Sequence, residues 1–446
     1  MNRVSLHSAV FEDSVKQKDY ATGLIPDVKA VENQVVNLYP RKLYQSFEGF
    51  GAALTEAAGW TLSRMSEGKR REVLEACYGE GGIGYTLGRV SMDSCDFSLG
   101  PYCAVRQADA GFADFSLERD AKYVRPLLRG VTKAAGKPPK LLMSPWSPPE
   151  FMKDTGARNG GGRLKKEWYQ PYAEYIARYL LEYKKLGFPV AMLTVQNEPL
   201  AAQLWDSCEY SAGEEKDFLK NHLAPALQKN GLGDVELYIW DHNKERLYER
   251  VRGILDGETE KMVAGAAYHW YSGDHFEALQ MVREDFPSLK LMHSEGCVEL
   301  ARNAGGTGTG AEHARRYAHD MIGDMNHGMN SWIDWNLALD ENGGPNHVGN
   351  FCDAPIRCNT AADTVRYQPT FYAIAQFSRY IRPGAVRIGL SRCSPDLEAT
   401  AFKNADGALA AVFLNPGEGR EVSLRTEGKT AKLPIPPRSV STAVIR

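Results

Sequence analysis

The sequence predicts an α/β protein built as a (β/α)₈ TIM barrel with a small β-sandwich side domain. In the middle of the 446-residue chain, eight short apolar runs alternate with helix-like segments. Such alternation indicates parallel strands joined by helical crossovers, and eight units favour a closed barrel over an open sheet. The two chain ends instead carry β-rich runs and turn residues without a helical pattern. We therefore expect the C-terminal tail and the N-terminal segment to form the sandwich together.

We predict the bounds of the strands and helices from apolar periodicity and from helix-capping residues such as Ser66, Gly79 and Gly231. They place the barrel at residues 46–384 and the sandwich at residues 1–45 plus 385–446. The expected strands span residues 48–55, 86–93, 140–146, 191–198, 236–240, 262–271, 290–295 and 331–337. The expected helices lie near residues 63–79, 116–136, 165–186, 212–230, 244–255, 274–286, 311–327 and 370–380.

Composition and charge exclude several classes of function. Lys and Arg number 53 against 56 Asp and Glu, a net charge of −3, and no basic block argues for a nucleic-acid partner. No apolar stretch reaches the length of a membrane span, so we expect no stable membrane insertion. The oligomeric state stays open. The first residues lack a signal-like apolar run, so we expect a cytoplasmic chain, although a trimmed secretory chain would look the same.

Metals and cofactors find little support in the sequence. The eight cysteines form no C-x-x-C pair, which leaves reduced, buried thiols as the simplest interpretation. Cys352 and Cys358 are candidates for a disulfide in an oxidising compartment, but their spacing does not decide it. Since no H-E-x-x-H, G-x-G-x-x-G or P-loop motif occurs, we expect no metal and no cofactor.

The predicted C-terminal strand ends carry carboxylates, tryptophans and histidines. In a (β/α)₈ barrel the chemistry lies at this end, so these side chains are expected around one cavity. Aromatic faces pack against the apolar faces of sugar rings, while Asp, Asn and His bind hydroxyl groups. The residues at these strand ends are Thr55 and Glu56, Asp93 to Asp96, Trp146, Gln196 to Glu198, Trp240 to His242, His269 to Tyr271, His293 to Glu295, and Trp332 to Asn336.

Glu198 and Glu295 end the fourth and seventh predicted strands, almost opposite each other across the barrel mouth. Glycosidic bond hydrolysis uses two carboxyl groups, one to protonate the leaving oxygen and one to attack or to activate water. Either residue alone could equally be a structural, salt-bridged carboxylate. Asn197 strengthens the pair, because an Asn beside the acid can hold the sugar 2-OH.

Several long motifs resemble glycoside hydrolase family 30, and most closely its lysosomal acid β-glucosidase (glucosylceramidase) branch. The resemblance runs nearly from end to end. The motifs that carry it are FEGFGAA at 47–53, GRVSMDSCDFS at 88–98, SPWSPP at 144–149, QNEP at 196–199, HWY at 269–271, SEGC at 294–297, DWNLAL at 334–339 and the run 343–356.

This resemblance implies a retaining β-glycosidase that acts on β-glucosides or glucosylceramide-like lipids. The expected rim of Trp146, Trp335 and Tyr271 predicts a pocket for one terminal sugar, and hence exo action. By motif, Glu198 corresponds to the general acid/base and Glu295 to the nucleophile. Asn197 corresponds to the residue that holds the 2-OH. The remaining residues that the resemblance assigns to sugar binding or to shaping the pocket are Arg89, Asp96, Trp146, His269, Tyr271, Trp335 and Asn350.

The aglycone and the exact sugar stay open at this stage. The loops at 156–162 and 305–310, which would contact an aglycone, do not match the family clearly. We interpret the glycine-rich run 305–310 as a loop rather than a phosphate cradle. The alternatives to a β-glucosidase are a β-xylosidase, β-fucosidase or β-1,6-glucanase of the same family. An inactive sugar-binding barrel is a further alternative, which the presence of both carboxylates disfavours.

Overall fold

The structure, a computed structural model, describes residues 3–30, 32–300 and 308–446. Residues 305–307 of the glycine-rich run 305–310 therefore lie outside the described residues. Four strands precede the barrel: β1 (Arg3–Phe11), β2 (Val15–Gly23), β3 (Ile25–Pro26) and β4 (Val35–Phe47). The barrel strands are β5 (Gly49–Ala53), β6 (Leu87–Met92), β7 (Lys140–Pro145), β8 (Val190–Thr194), β9 (Glu236–Asn243), β10 (Gly265–His269), β11 (Lys290–Glu295) and β12 (Met329–Asp334).

The later strands form a small sheet and the rest of the sandwich. The small sheet contains β13 (Leu339–Asp340), β14 (Ile356–Asn359) and β15 (Thr364–Tyr367). The sandwich strands are β16 (Ala385–Ser391), β17 (Glu398–Lys403), β18 (Leu409–Asn415), β19 (Arg420–Thr426), β20 (Lys429–Ile435) and β21 (Ser439–Ile445).

Ten α-helices lie in the described part of the chain, and several begin at a side-chain cap. Ser211 and Thr309 each form a reciprocal capping box with a Glu three residues later. The helices are α1 (Glu56–Ser63), α2 (Glu67–Tyr78), α3 (Val124–Ala135), α4 (Tyr169–Lys185), α5 (Ala212–Phe218), α6 (Ala224–Lys229), α7 (Leu247–Ile254), α8 (Phe276–Asp285), α9 (Gly310–Asn326) and α10 (Pro369–Ser378). Of the described helices, none is both long enough and apolar enough to cross a bilayer.

Strands β5 to β12 close into a parallel barrel in chain order, which confirms the predicted fold class. One layer of its interior takes an apolar side chain from each of seven strands, and the eighth contributes Gly51. A Cβ at Gly51 would lie 2.2 Å from the Leu87 carbonyl oxygen, so the close packing of β5 on β6 requires glycine there. The inward-facing residues are Leu87, Leu142, Met192, Tyr238, Ala267, Met292 and Ile333.

The sandwich is a continuous ten-stranded sheet made from both ends of the chain, with the order β2-β1-β21-β18-β17-β16-β4-β19-β20-β3. Alternate residues of β18 belong to different cores. Leu409, Ala411 and Phe413 pack inside the sandwich, whereas Ala410 and Val412 join the barrel core. Because both faces are buried, the sandwich is fixed to the outer helices of the barrel.

Several element bounds differ from the sequence prediction. The first helical region is two helices that begin at Glu56, so Glu56 is the first residue of α1 rather than a strand-end residue. Helix α3 begins only at Val124, and a π-turn at Leu219–Leu223 divides the fourth predicted helix. Strands β1 and β2 were not recognised, since β2 is almost wholly exposed and polar. The domain boundaries at residues 46 and 384 stay a prediction.

Charged residues at the N-terminal end of the barrel neutralise one another. Lys140 lies 3.1 Å from Glu48 and 3.0 Å from Glu236, and Lys290 contacts the same two carboxylates at 2.6 and 2.9 Å. Three of these residues begin barrel strands. The closed set of four charges supports a structural role at this end.

A second buried ion cluster joins the barrel to α9. Lys244 Nζ lies 2.5 Å from Asp320 and 3.0 Å from Asp324, and His293 Nδ1 contacts the same carboxylates at 3.3 and 3.2 Å. All four residues are buried. Removing one member of such a cluster leaves charge that is neither solvated nor paired.

We expect Lys244→Met to lower the free energy of unfolding by about 3–5 kcal/mol, the usual cost of breaking a buried ion pair. The matched control is Lys185→Met, which breaks the exposed Lys185–Glu182 pair and should cost about 1 kcal/mol or less. Urea unfolding at pH 7 measures both. Equal losses for the two variants would contradict a stabilising role for the cluster.

Candidate active site

A cavity of about 100 Å³ opens at the C-terminal end of the barrel. Most of the predicted site residues line it, and Arg89 and His269 lie buried directly beneath. The predicted residues that line the cavity are Asp96, Trp146, Asn197, Glu198, Tyr271, Glu295, Trp335 and Asn350. The structure therefore brings all ten predicted site residues to one place.

Arg89 lies at the centre of the site, fully buried on β6. Its Nη1 donates to Glu295 Oε2 at 2.6 Å, and its Nη2 donates to Asn197 Oδ1 at 2.8 Å and to Asp241 Oδ2 at 2.9 Å. Its Nε donates to Ser144 Oγ at 3.1 Å. A single guanidinium therefore fixes side chains from four other strand ends.

Glu295 is the last residue of β11, and Glu198 follows β8. One oxygen of each carboxyl group and a ring nitrogen of His269 all lie within 4.8 Å of one another. The Tyr271 hydroxyl donates to Glu295 Oε1 at 2.9 Å. Burial raises the pKa of Glu295 despite the opposing charges of His269 and Arg89. Burial opposes ionisation of Glu198 as well, but His242 and His269 outweigh it and lower the pKa of that carboxyl to about 2.

His269 connects the two carboxylates to a third. Its Nδ1 lies 3.1 Å from Glu198 Oε1, and its Nε2 lies 3.1 Å from Asp241 Oδ1. Burial lowers the pKa of His269, but the charge of Glu295 and the bonds to Asp241 and Glu198 outweigh it and raise that pKa to about 9. His269 is therefore an imidazolium at neutral pH.

Two tryptophans form an aromatic wall. The rings of Trp146 and Trp335 stack with centroids 5.3 Å apart, and the edge of Phe97 packs on Trp335. The Arg89 guanidinium lies 4.9 Å from the Trp146 centroid and 5.4 Å from that of Trp335. The wall thus offers an apolar surface next to a dense set of charges, which suits a sugar ring.

The carboxyl group of Asp96 lies on the side of the cavity that Asn346 and Asn350 close. Asn346 Nδ2 donates to Asp96 Oδ2 at 3.1 Å, and Asn350 Nδ2 approaches the same oxygen at 3.5 Å. Burial, together with the charge of Glu295, raises the pKa of Asp96 to about 8. At neutral pH this carboxyl group keeps its proton and offers both a donor and an acceptor to sugar hydroxyls.

The backbone is strained where it presents the carboxylates. Glu198, Trp240 and Asp241 have φ of 47°, 73° and 57°, in the left-handed region that non-glycine residues rarely adopt. The Glu198 amide donates to the Asp241 carbonyl at 3.0 Å, which holds the two strained segments together. Such strain is typical of functional sites.

Other residues expected at the rim point elsewhere. Glu56 pairs with Arg119, and Asp334 accepts a hydrogen bond from Tyr317 on α9. Trp270 packs on Tyr317. Cys352 and Cys358 are both free thiols, so the disulfide considered from the sequence is absent between these two described residues.

Several residues of the site were not assigned from the sequence. Asp241 stood at the end of a predicted strand, but nothing in the pattern distinguished it from a residue that orders the rim. Of the others, His242 and Asn243 end β9, and the rest come from loops, whose contacts a periodicity argument does not predict. The further cavity-lining residues are Gln203, Trp205, His242, Asn243, Cys297, Glu299 and Cys352, while Asn346 acts through Asp96.

Two clusters in the described residues bring three potential metal ligands within 4.8 Å of one another. They are Glu198, His269 and Glu295, and His293, Asp320 and Asp324. In the second cluster, the Lys244 ammonium contacts both aspartates.

A larger groove of about 1100 Å³ lies between the C-terminal ends of α2, α3 and α10, at the opposite end of the barrel. Glu80 is the one carboxylate among the described residues that line this groove, so the groove offers no pair of carboxyl groups for catalysis.

The pKa of Asp96 predicts a specific pH dependence of stability. The native state keeps a proton up to about pH 8 that the unfolded chain loses near pH 4, so this group makes stability fall as pH rises between those values. Asp96→Asn removes the effect. We expect its stability relative to wild type to be more favourable at pH 8 than at pH 5.

Asp353→Asn provides a control of opposite sign. Burial opposes ionisation of Asp353, but His313 and Arg357 outweigh it and lower its pKa. This variant should therefore lose stability relative to wild type as pH rises from about 2 to 5. Thermal unfolding across these pH ranges measures both, and a parallel response of the two variants would contradict the assignment.

Comparison with known proteins agrees with this geometry. The model of the glycosyl hydrolase family 30 TIM-barrel domain matches residues 47–381, and that of the family's beta sandwich domain matches residues 384–443. Lysosomal acid glucosylceramidase of Mus musculus is 33% identical over 420 residues, which cover 90% of this chain and 81% of that protein.

Two solved structures are similar over nearly their whole length. SrfJ from Salmonella typhimurium has a TM-score of 0.94 at 37% identity, covering 100% of this chain and 99% of that one. The endo-beta1,6-glucanase BT3312 has a TM-score of 0.88 at 26% identity, covering 99% of both chains. With the barrel, the sandwich and the paired carboxylates in place, the chain belongs to glycosyl hydrolase family 30 and is a glycoside hydrolase.

Proposed function

We propose that this glycoside hydrolase is a retaining, exo-acting β-glucosidase that cleaves terminal β-glucosyl residues, including those of glucosylceramide-like lipids. The observation that carries the proposal is the pair Glu198 and Glu295, with oxygens within 4.8 Å of each other. Retaining enzymes hold their carboxyl groups about 5–5.5 Å apart, whereas inverting enzymes leave room for a water at about 6.5–9.5 Å. The close pair supports double displacement.

In the first step Glu295 attacks the anomeric carbon and forms a glycosyl ester. Its two oxygens accept hydrogen bonds from Arg89 and Tyr271, which favour the ionised form of the nucleophile. Glu198 acts in its protonated form and gives its proton to the leaving oxygen as the glycosidic bond breaks. In the second step Glu198, now a carboxylate, takes a proton from water, which attacks the anomeric carbon and releases Glu295.

Asn197 is placed to hold the sugar 2-OH. Its Oδ1 accepts from Arg89, which orients the amide and leaves its Nδ2 for the cavity. The neighbouring Gln196 donates to the Asn197 and Trp146 carbonyls and fixes the loop between them. Hydrogen bonds to the 2-OH strengthen in the transition state, so a preoriented amide contributes to the rate.

The cavity supports action on a single terminal sugar. Its volume of about 100 Å³ is below the usual range of ligand pockets, and the tryptophan wall and Tyr271 confine it. Asp96 and Asn350 lie together in the cavity wall and suit the 4-OH and 6-OH of a hexose. We infer a preference for glucose over xylose, which lacks the 6-OH, and exo over endo attack.

Exposed apolar side chains around the cavity support a lipid aglycone. Leu204 is 75% exposed and lies between the cavity-lining Gln203 and Trp205. Phe351, 37% exposed, lies between the cavity-lining Asn350 and Cys352, and Leu200 follows Glu198 by two residues. Exposed apolar side chains next to cavity-lining residues favour an apolar leaving group over a second sugar. The name of the mouse relative, a glucosylceramidase, also supports a lipid aglycone.

A β-1,6-glucanase of the same family is the second candidate. The observation that favours it is the fold similarity to the endo-beta1,6-glucanase BT3312, with a TM-score of 0.88. An endo-acting enzyme would need an open cleft on both sides of the acid pair. A β-xylosidase or β-fucosidase uses the same carboxylates and differs in how the cavity wall accepts the sugar.

The proposed roles predict asymmetric variants. Glu295→Gln removes the attacking group, so cleavage should fail for every substrate. Glu198→Gln removes the proton donor, which should cost about 10²–10⁴-fold for alkyl glucosides but far less for the first step with dinitrophenyl glucosides. The glycosyl-enzyme should accumulate in Glu198→Gln, and added azide should release it as a β-glucosyl azide.

Mass spectrometry of the intermediate and NMR of the azide product read out this experiment. An α-glucosyl azide, or azide rescue in the Glu295 variant instead of the Glu198 variant, would contradict the assigned roles. ¹H NMR of the first-formed product tests retention separately, since the wild type should release β-glucose before mutarotation.

A panel of nitrophenyl glycosides tests the choice of sugar. We expect kcat/KM for the β-glucoside to exceed that for the β-xyloside, because only the hexose has a 6-OH for the polar wall at Asp96. A β-1,6-glucan, digested in parallel, should release glucose from chain ends. Preference for xyloside, or early release of long oligosaccharides from the glucan, would favour the second candidate.

Leu204→Asp tests the lipid aglycone. We expect kcat/KM for glucosylceramide in detergent micelles to fall about tenfold, since a lost apolar contact of about 1.4 kcal/mol gives that factor. Activity on water-soluble nitrophenyl glucoside should change less than twofold. The control is Leu186→Asp, an exposed Leu just after α4 at the other end of the barrel. Equal loss on both substrates would contradict an aglycone contact.

A further inference from the structure

Asp241 is a buried carboxylate at the site that the two chemical steps leave without a role. Its Oδ2 accepts from Arg89 Nη2 at 2.9 Å, and its Oδ1 accepts from Ser294 Oγ at 2.5 Å and faces His269 Nε2 at 3.1 Å. Burial opposes its charge, but Arg89 and His269 outweigh burial and hold the pKa of Asp241 low. Asp241 is therefore a fixed anion that requires a donor at His269 Nε2.

The ring of His269 also lies beside both proposed catalytic carboxyls, and its other nitrogen, Nδ1, faces Glu198. Nδ1 lies 3.1 Å from Glu198 Oε1, while Nε2 is also 3.9 Å from Glu295 Oε2. The other titratable or charged groups around the ring are His242, with ring centroids 6.3 Å apart, Tyr271 at 6.0 Å, and Arg89 behind Asp241 and Glu295. Burial lowers the pKa of His242, and a charge on that ring also lowers the pKa of Glu198, so His242 is a second histidine that acts on this carboxyl.

We infer that Asp241 is a positioning residue that holds His269 as an imidazolium between the two catalytic carboxyls, where it is the counter-ion of Glu295 before glycosyl transfer and of Glu198 after it. This inference rests on the proposed function for the order of events, but the charge state of His269 is independent of it.

The charges of the site balance at both stages. In the reactive state that the proposed function requires before attack, Arg89 and His269 are the cations, Asp241 and Glu295 are the anions, and Glu198 is protonated. Glu295 then becomes a neutral ester, and the Glu198 proton leaves with the aglycone oxygen, so Glu198 becomes the second anion. The negative charge moves from one side of the ring to the other, and the buried cluster stays neutral throughout. An uncompensated buried charge at either stage would cost several kcal/mol.

A histidine-selective ¹⁵N NMR titration of the full chain tests the charge state without any substrate. His269→Asn assigns the signal. In wild type we expect both ring nitrogens of His269 to carry protons at pH 7. In Asp241→Asn the ring should lose one proton at least one pH unit lower. Ser294→Ala serves as the matched control, since it removes a contact to Asp241 but keeps the carboxylate, and should shift the titration less.

The pH dependence of kcat for a dinitrophenyl glucoside tests the catalytic consequence. With this substrate the second step limits turnover, and Glu198 must be ionised to accept a proton from water. Loss of the neighbouring cation raises the pKa of Glu198, so the acidic limb of the profile should move up by at least one pH unit in His269→Asn. In Asp241→Asn the acidic limb should not move up, because the ring of His269 keeps its proton at acidic pH and loss of the Asp241 charge favours ionised Glu198.

The outcomes separate this inference from the proposed function. A neutral His269 ring in wild type at pH 7, a ring titration that Asp241→Asn leaves unchanged, or an acidic limb that does not move in His269→Asn overturns the inference. If wild type hydrolyses no glycoside while the ring is doubly protonated and depends on Asp241, the proposed function fails and the charge assignment stands. If Asp241→Asn does not fold, the wild-type titration and the His269→Asn profile still decide it.

Discussion

The burial of the Arg89 guanidinium is the constraint on which the rest of the site depends. A cation taken fully out of water costs several kcal/mol unless its donors all find partners. Here every nitrogen of the group is bonded, and the partners are Ser144, Asn197, Asp241 and Glu295, with the Ser294 carbonyl. Because the guanidinium group is planar and rigid, the side chains that bond to it have few positions available. The positions of Glu295 and Asn197 follow from it.

The two ends of the barrel use charge in opposite ways. At the N-terminal end, two lysines and two glutamates pair in a closed set and leave nothing for a ligand. At the C-terminal end, buried carboxyls and hydrogen-bond donors line a confined cavity, and part of the backbone is strained. The first arrangement stabilises the fold, whereas the second shifts two pKa values in opposite directions, upward for Asp96 and downward for Glu198.

The rigid frame for this cavity extends beyond the barrel. Strand β18 packs on the sandwich core with one face and on the barrel core with the other. His319 on α9 contacts Glu398 on β17 at 2.7 Å and Asp274, just before α8, at 3.0 Å. The loops that carry Leu200, Leu204 and Phe351 lie outside this frame and expose apolar surface. The cavity therefore lies in a rigid frame, and these apolar loops lie beside it. Two similar proteins are named for different substrates, glucosylceramide and β-1,6-glucan.

The sequence by itself determined the fold class, since eight apolar runs at βα spacing have few other solutions. It also identified Glu198, Glu295 and their neighbours, because strand ends of a barrel converge and the motifs there are local. Only the tertiary structure placed Asp241, whose role depends on three partners from β6, β10 and β11 that no local pattern connects. The same holds for Asn346 and for the loop residues at the cavity, since their positions come from packing rather than periodicity. The exposed strand β2 was missed because its burial pattern lacks the alternation that marks a strand in sequence.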